Sequence, residues 1–230
     1  MTTQPARVRR RSPRRARRGP LFWPGAILVA AGVGIMVWLA WQFWVTNWLS
    51  HHRQQEVTSE LHRGWQGGSD RVHTDFGTAI AILHIPRFGD DFAVPVLEGD
   101  SAGVLAAGTG HLPGTALPGA VGNFVVAGHR VTHGEPFADF PDLRAHDKVY
   151  VETRTTTYIY ELENSGRSLV VPFTATWVAD PSPVNPSGGM QPTGVGDRLL
   201  TLFTCSELFH TDNRSVVFGH LVGTSHAVAH

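Results

Sequence analysis

The sequence predicts a mostly β domain, a closed barrel or a sandwich with short helices, behind one N-terminal membrane-spanning helix. Three observations carry this reading. Between residues 78 and 224, short apolar or alternating runs are separated by Gly, Pro, Asn and Asp, as strands between turns are. Residues 21–45 are almost wholly apolar, and about 20 apolar residues cross a hydrocarbon core. Eight arginines fall within the first 18 residues, whereas the first acidic residue is Glu56.

Taken in order, residues 1–20 form a basic tail too rich in Arg and Pro to fold alone. Residues 21–49 are the predicted anchor. No Asp, Glu, Lys or Arg occurs from Gly19 through His52. Trp38, Trp41, Trp44 and Trp48 crowd its C-terminal end and Trp23 lies near the other, and indole rings favour the headgroup interface. A cleaved signal peptide would have a shorter apolar region ending at a small-x-small site, whereas this span ends in Trp and Gln. The arginines set the tail in the cytoplasm and export the rest, so the expected location is the cell membrane, single-pass, with the folded domain outside. Residues 50–77 are polar, carry Gly64, Gly67 and Gly68, and read as a stalk in which 53–62 extends the helix. Residues 225–230 read as a C-terminal tail.

The intervening domain, 78–224, has the usual size for a single core. Its expected strands are 79–85, 92–97, 123–127, 148–152, 156–163, 169–179, 198–204 and 216–222. Tyr158, Tyr160 and Leu162 alternate with Thr157, Ile159 and Glu161, which fits a strand with two unequal faces. A short helix is expected over 136–144, where Pro136 suits a first helical position and Phe137, Phe140 and Leu143 recur at helical spacing. Residues 181–196 read as a long loop.

Overall charge is balanced, 19 basic residues against 19 acidic. Beyond Arg18 the acidic residues are in excess, so nucleic acid is not an expected partner and the arginine cluster sets topology. A single cysteine rules out an intramolecular disulfide. In an exported protein such a thiol is either reactive or a small buried hydrophobe.

The surroundings of Cys205 favour reactivity. The run Leu199-Leu200-Thr201-Leu202-Phe203-Thr204 delivers it to a polar loop, with rigid scaffold behind and access in front. The thiolate is the nucleophile, so a base or a cation must lie near. His129 ends a second apolar run, 123–128. Arg214 opens a third, and a hairpin joining 198–204 to 216–222 brings Arg214 to the same end as Cys205. A guanidinium there can brace an oxyanion with paired donors. With 13 histidines in the chain, any one alone is weak evidence. The joint pattern is far more specific.

That pattern resembles the sortase family. Thr201-Leu202-Phe203-Thr204-Cys205 is similar to the family's TLxTC signature, Arg214 matches the arginine that follows it, and 126–130 matches the segment around the family histidine. Ile85-Pro86-Arg87, 113–119 and 134–137 resemble stretches of class E sortases, the actinobacterial housekeeping-type group of Gram-positive bacteria. The resemblance covers roughly 78–222. It implies an eight-stranded sortase-type β-barrel and a transpeptidase that cleaves an LPXTG-like or LAXTG-like sorting signal between Thr and Gly. Cys205 would form a thioacyl enzyme and an amine on lipid II or peptidoglycan would resolve it. His129 would be the general acid and base, and Arg214 would stabilise the oxyanion. Thr204, Leu112 and Thr132 are the residues expected to contact the signal, and His133 and His210 are expected near the site. Leu112 stands where class E relatives often carry Tyr. No metal or cofactor is expected. The implied partners are secreted proteins bearing a C-terminal sorting signal, the cell-wall amine acceptor, and the membrane through the N-terminal helix.

Two other readings compete. An L,D-transpeptidase also uses Cys, His and Arg in a β-rich fold, but its nucleophile usually follows Ser-His-Gly or Ser-Asn-Gly, and Phe203-Thr204 precedes Cys205 here. An inactive extracellular peptide-binding β-domain would keep Cys205 buried and inert.

Overall fold

The computed structural model describes residues 22–131, 134–193, 197–205 and 212–226; the side chains at 22, 39–40, 42–47 and 205 lie outside that description. So do the basic tail, Thr132, His133, His210 and residues 227–230. The chain divides into two compact units, Met1–Gln42 and Phe43–His230.

In the first unit, helix α1 begins at Phe22; the whole element is Phe22–Gln66. Its described side chains are exposed and apolar, Ile27, Leu28, Val29, Val33 and Ile35 among them. Among the described residues no helix is long and apolar enough to cross a membrane. The side chains described in this stretch run unbroken only from 23 to 38.

The second unit opens with the remainder of α1, and here the structure differs from the expected stalk. Ser50, Gln54, Val57, Leu61 and Trp65 are all buried. Their spacing of three or four residues draws one stripe down the helix. The apolar three pack with Ala79, Ile82 and Leu97. Burying three large side chains this way stabilises the unit by several kcal/mol, at about 1.5–3 kcal/mol each. Residues 50–66 are therefore part of the folded domain. The strand β1 (Val72–Thr74) follows, paired to β2 (Gly77–His84).

The remaining strands are β3 (Ala93–Glu98), β4 (Thr109–His111), β5 (Gly122–Ala127), β6 (Lys148–Glu152), β7 (Thr156–Leu162), β8 (Val170–Pro172), β9 (Arg198–Cys205) and β10 (Asn213–His226). Neighbours run β2-β3-β4-β5-β9-β10-β7-β6, and β6 pairs back to β2. Eight strands thus close a barrel, with β1 and β8 attached outside the ring. Closure leaves the ring without a free edge. Leu83, Phe124, Val126, Tyr160, Leu202 and Val217 fill the interior. The barrel is the predicted one, and eight is the predicted number.

One member of the ring differs. The expected strand 169–179 shrinks to β8, because Pro172 has no N–H to continue a ladder and its carbonyl instead accepts from Ala175 in a turn. Its place in the ring is taken by β4, where Gly110 allows close approach. A Cβ there would lie 2.3 Å from the Gly99 carbonyl oxygen. The expected helix 136–144 is reduced to a 3-10 turn at Phe140–Asp142, since Pro141 interrupts the helical hydrogen bonds. A short unexpected helix, α2 (Ala102–Leu105), is capped by Ser101, whose hydroxyl accepts from the Val104 N–H. The last strand runs on to His226, into the expected tail.

Candidate active site

Three adjacent strands carry the three expected catalytic positions. β5 and β9 run parallel, with Ala127 opposite Phe203. Two residues beyond each lie His129 and Cys205. β9 and β10 run antiparallel, and Arg214 is the direct register partner of Cys205. His129, Cys205 and Arg214 therefore stand abreast at one end of the barrel, in that order. Strand alternation puts position 205 on the face of Phe203 and Thr201, and Arg214 on that of Val216 and Phe218. Both faces look outward, away from the interior set.

Backbone and side-chain bonds fix this end of the sheet. The Gly128 N–H donates to the Phe203 carbonyl at 3.2 Å, extending the parallel pairing past β5. The Thr204 hydroxyl donates to the Gly128 carbonyl at 2.8 Å, and Thr204 is 2 % exposed. The hydroxyl of Thr204, a residue expected to contact the signal, braces the two strand ends. The loop after His129 closes on itself through the Phe137 N–H and the His129 carbonyl, 3.0 Å apart. Gly134 in that loop sits against Ser50 and Gln54 of α1.

A groove runs down the outer wall from this line. It encloses about 400 Å³ and is lined by Leu112, Val171, Phe173, Val178 and Phe203, with Arg214 at the catalytic end and Asp100 also on its wall. Arg214 is half-buried and donates to the Asn213 carbonyl at 3.1 Å. Leu112, one of the residues expected to contact the signal, lines this groove. Thr132 lies outside the described residues, as does the Cys205 side chain.

The groove's roof is held by a residue that sequence reasoning passed over. The amide nitrogen of Asn123 donates to the Val178 and Asp180 carbonyls, each at 3.0 Å, and its oxygen accepts from the Thr201 hydroxyl at 2.8 Å. Asn123 is 1 % exposed. A polar residue opening an apolar strand was the available signal. His111, next to Leu112, is 5 % exposed and donates from Nε2 to the Ala116 carbonyl at 3.0 Å. Burial pushes its pKa down, which keeps the ring neutral. Among the described residues no group of three or more His, Cys, Asp or Glu is placed to hold a metal ion.

The sortase-domain family model matches residues 83–222, the stretch that contains every strand end just described. The chain is a sortase. It is 35% identical over 208 residues to Sortase SrtE1 of Streptomyces coelicolor, covering 86% of this chain and 56% of that relative, so it spans little more than half of the relative's length. Among solved structures, sortase E from Streptomyces avermitilis is 38% identical, with a TM-score of 0.54 over 64% of this chain and 89% of that one. Sortase E1 from Streptomyces coelicolor, solved with a tripeptide in its active site, is 35% identical with a TM-score of 0.54, covering 64% of this sortase and 90% of that chain. The class E likeness read from the sequence agrees with these neighbours.

Proposed function

We propose that this sortase is a transpeptidase that cleaves an LPXTG-like or LAXTG-like sorting signal between Thr and Gly, with Cys205 as nucleophile. The observation that carries the reading is the register that sets positions 129, 205 and 214 side by side on three neighbouring strands. The signal lies in the outer groove with its Thr carbonyl at Cys205. The Cys205 thiolate attacks that carbon, and the Arg214 guanidinium stabilises the oxyanion. Collapse breaks the C–N bond as His129 gives a proton to the departing Gly amine. The acyl group is then a thioester on Cys205. An amine of lipid II or peptidoglycan attacks it, passes a proton to His129, and the thiolate leaves. One nucleophile thus splits one difficult exchange into two easier ones. Leu112 contacts the apolar residues of the signal.

The same reading places the protein at the outer face of the cell membrane. Supporting it are the uncharged stretch from Gly19 through His52, the arginines before it and the apolar side chains exposed around α1. The secreted proteins that carry sorting signals are its clients.

The test uses residues 43–230, the second compact unit, with LAXTG and LPXTG peptides. Intact mass should show an acyl adduct on Cys205 that vanishes in Cys205→Ala and is consumed by an added amine. An unreactive thiol towards both peptides and a small alkylating probe would overturn the reading in favour of a binding domain.

A further inference from the structure

We infer that Asp100 is a specificity residue of the outer groove, selecting sorting signals that carry a basic residue directly ahead of the motif. The inference rests on the transpeptidase reading above. Among the described residues two charged side chains line the groove, Arg214 and Asp100, and its other walls are largely apolar. Arg214 stands opposite Cys205. Asp100 belongs to the turn between β3 and α2. The N–H of its neighbour Gly99 donates to the His111 carbonyl at 2.9 Å, and His111 pairs with Val126. Val126 in turn pairs with Leu202, three residues short of Cys205.

Three residues of strand measure roughly 10 Å and three strand spacings roughly 14 Å, so this turn lies within about 17 Å of position 205, and an extended peptide rises about 3.3 Å per residue. The direction of the peptide follows from the chemistry. The groove is lined by Arg214 and not by His129. His129 must face the departing amine, so the groove holds the acyl side. With Thr at Cys205, three steps back reach the Leu that opens the motif. The next residue upstream is about 13 Å from the Thr, and a long basic side chain there comes within reach of Asp100. Asp100 is exposed and makes no ion pair among the described residues, whereas the nearby Arg71 is engaged by Glu98. An exposed carboxylate on the wall of a largely apolar groove attracts a Lys or Arg at that position and repels a Glu. An exposed pair of this kind is worth up to about fivefold in an equilibrium or rate ratio.

The experiment compares three peptides that differ only in the residue before the Leu: Lys, Gln or Glu. The rate of Cys205 acylation, as kcat/KM, is measured with the full-length chain at low and high salt. The expected order is Lys, then Gln, then Glu, with steps of roughly 2- to 5-fold that shrink as salt rises. Asp100→Asn, a near-isosteric change on an exposed turn, should level the three rates, and Asp100→Lys should reverse their order. Equal rates for the three peptides in the wild type, or an order that persists in Asp100→Asn, would overturn the inference while leaving the transpeptidase intact. Absence of an adduct with every peptide would sink the transpeptidase reading and this inference with it.

Discussion

The Thr204 hydroxyl reaches 2.8 Å across to the Gly128 carbonyl, tying the residue before Cys205 to the residue before His129. Replacing it with Val leaves that buried carbonyl without a donor, at a cost of about 1–3 kcal/mol. Thr204→Val should lower the denaturation midpoint, and it should slow Cys205 acylation about tenfold or more by loosening the alignment of positions 129 and 205. Thr204→Ser should keep most of both. Equal loss in the two variants would show that the methyl group, rather than the hydroxyl, matters.

Arg214 is expected to act through its paired donors. Arg214→Lys keeps the charge and loses the fork, so acylation should fall by about 100-fold, the usual cost of removing an oxyanion donor. Labelling of Cys205 by a small alkylating reagent should persist. A Lys variant acylating at near wild-type rate would reduce Arg214 to a source of positive potential.

Gly134 has φ of 78°, in the left-handed region, and a Cβ there would lie 2.7 Å from Gln54 Nε2 and 3.0 Å from Ser50 Cβ. Gly134→Ala should destabilise residues 43–230 by about 1–2 kcal/mol from the backbone alone, with a further loss from the contact. Adding Gln54→Ala should recover the contact part and leave the backbone part. Urea unfolding of the single and double variants separates the two, and no recovery in the double variant would show that Gln54 is not what crowds this position.

Stability should also fall on mild acidification. Burial holds the pKa of His111 below its ordinary value, so the folded state favours the neutral ring. Its contribution is complete above about pH 6.5, the pKa of an exposed histidine, and is lost as pH falls below that. Urea midpoints at pH 7.5 and 5.5 should differ less in His111→Gln than in the wild type. An unchanged difference would assign the acid limb to other groups.

Much of the site was legible because its strands end where apolar runs meet polar residues. Residues 123–127 and 198–204 announce both their period and the side chain they deliver. The parts that were missed have local physical causes. β4 is three residues long and contains a glycine, which no periodicity can flag. Pro172 and Pro141 cut short a strand and a helix whose apolar spacing ran on past them. The stripe on α1 hid because Ser50 and Gln54, two of its five positions, are polar and its flanks are charged. Thr204 was read as a signal contact from the family resemblance, and its hydroxyl's bond to the Gly128 carbonyl, made between residues 76 apart, has no local sequence signal. Asn123 reads as a strand boundary in sequence, while its side chain holds three bonds that pin the groove's roof.

The parallel pairing of β5 with β9 also governs when the chemistry can begin. Parallel partners cannot meet through a tight turn, and here 70 residues lie between the end of β5 and the start of β9. Such distant contacts form late and slowly in folding. While the chain is still unfolded, Cys205 lacks both His129 of the neighbouring strand and the Arg214 guanidinium across from it. On the proposed reading, an unassembled chain therefore carries an ordinary thiol, and acyl-transfer capacity appears only once the barrel has closed.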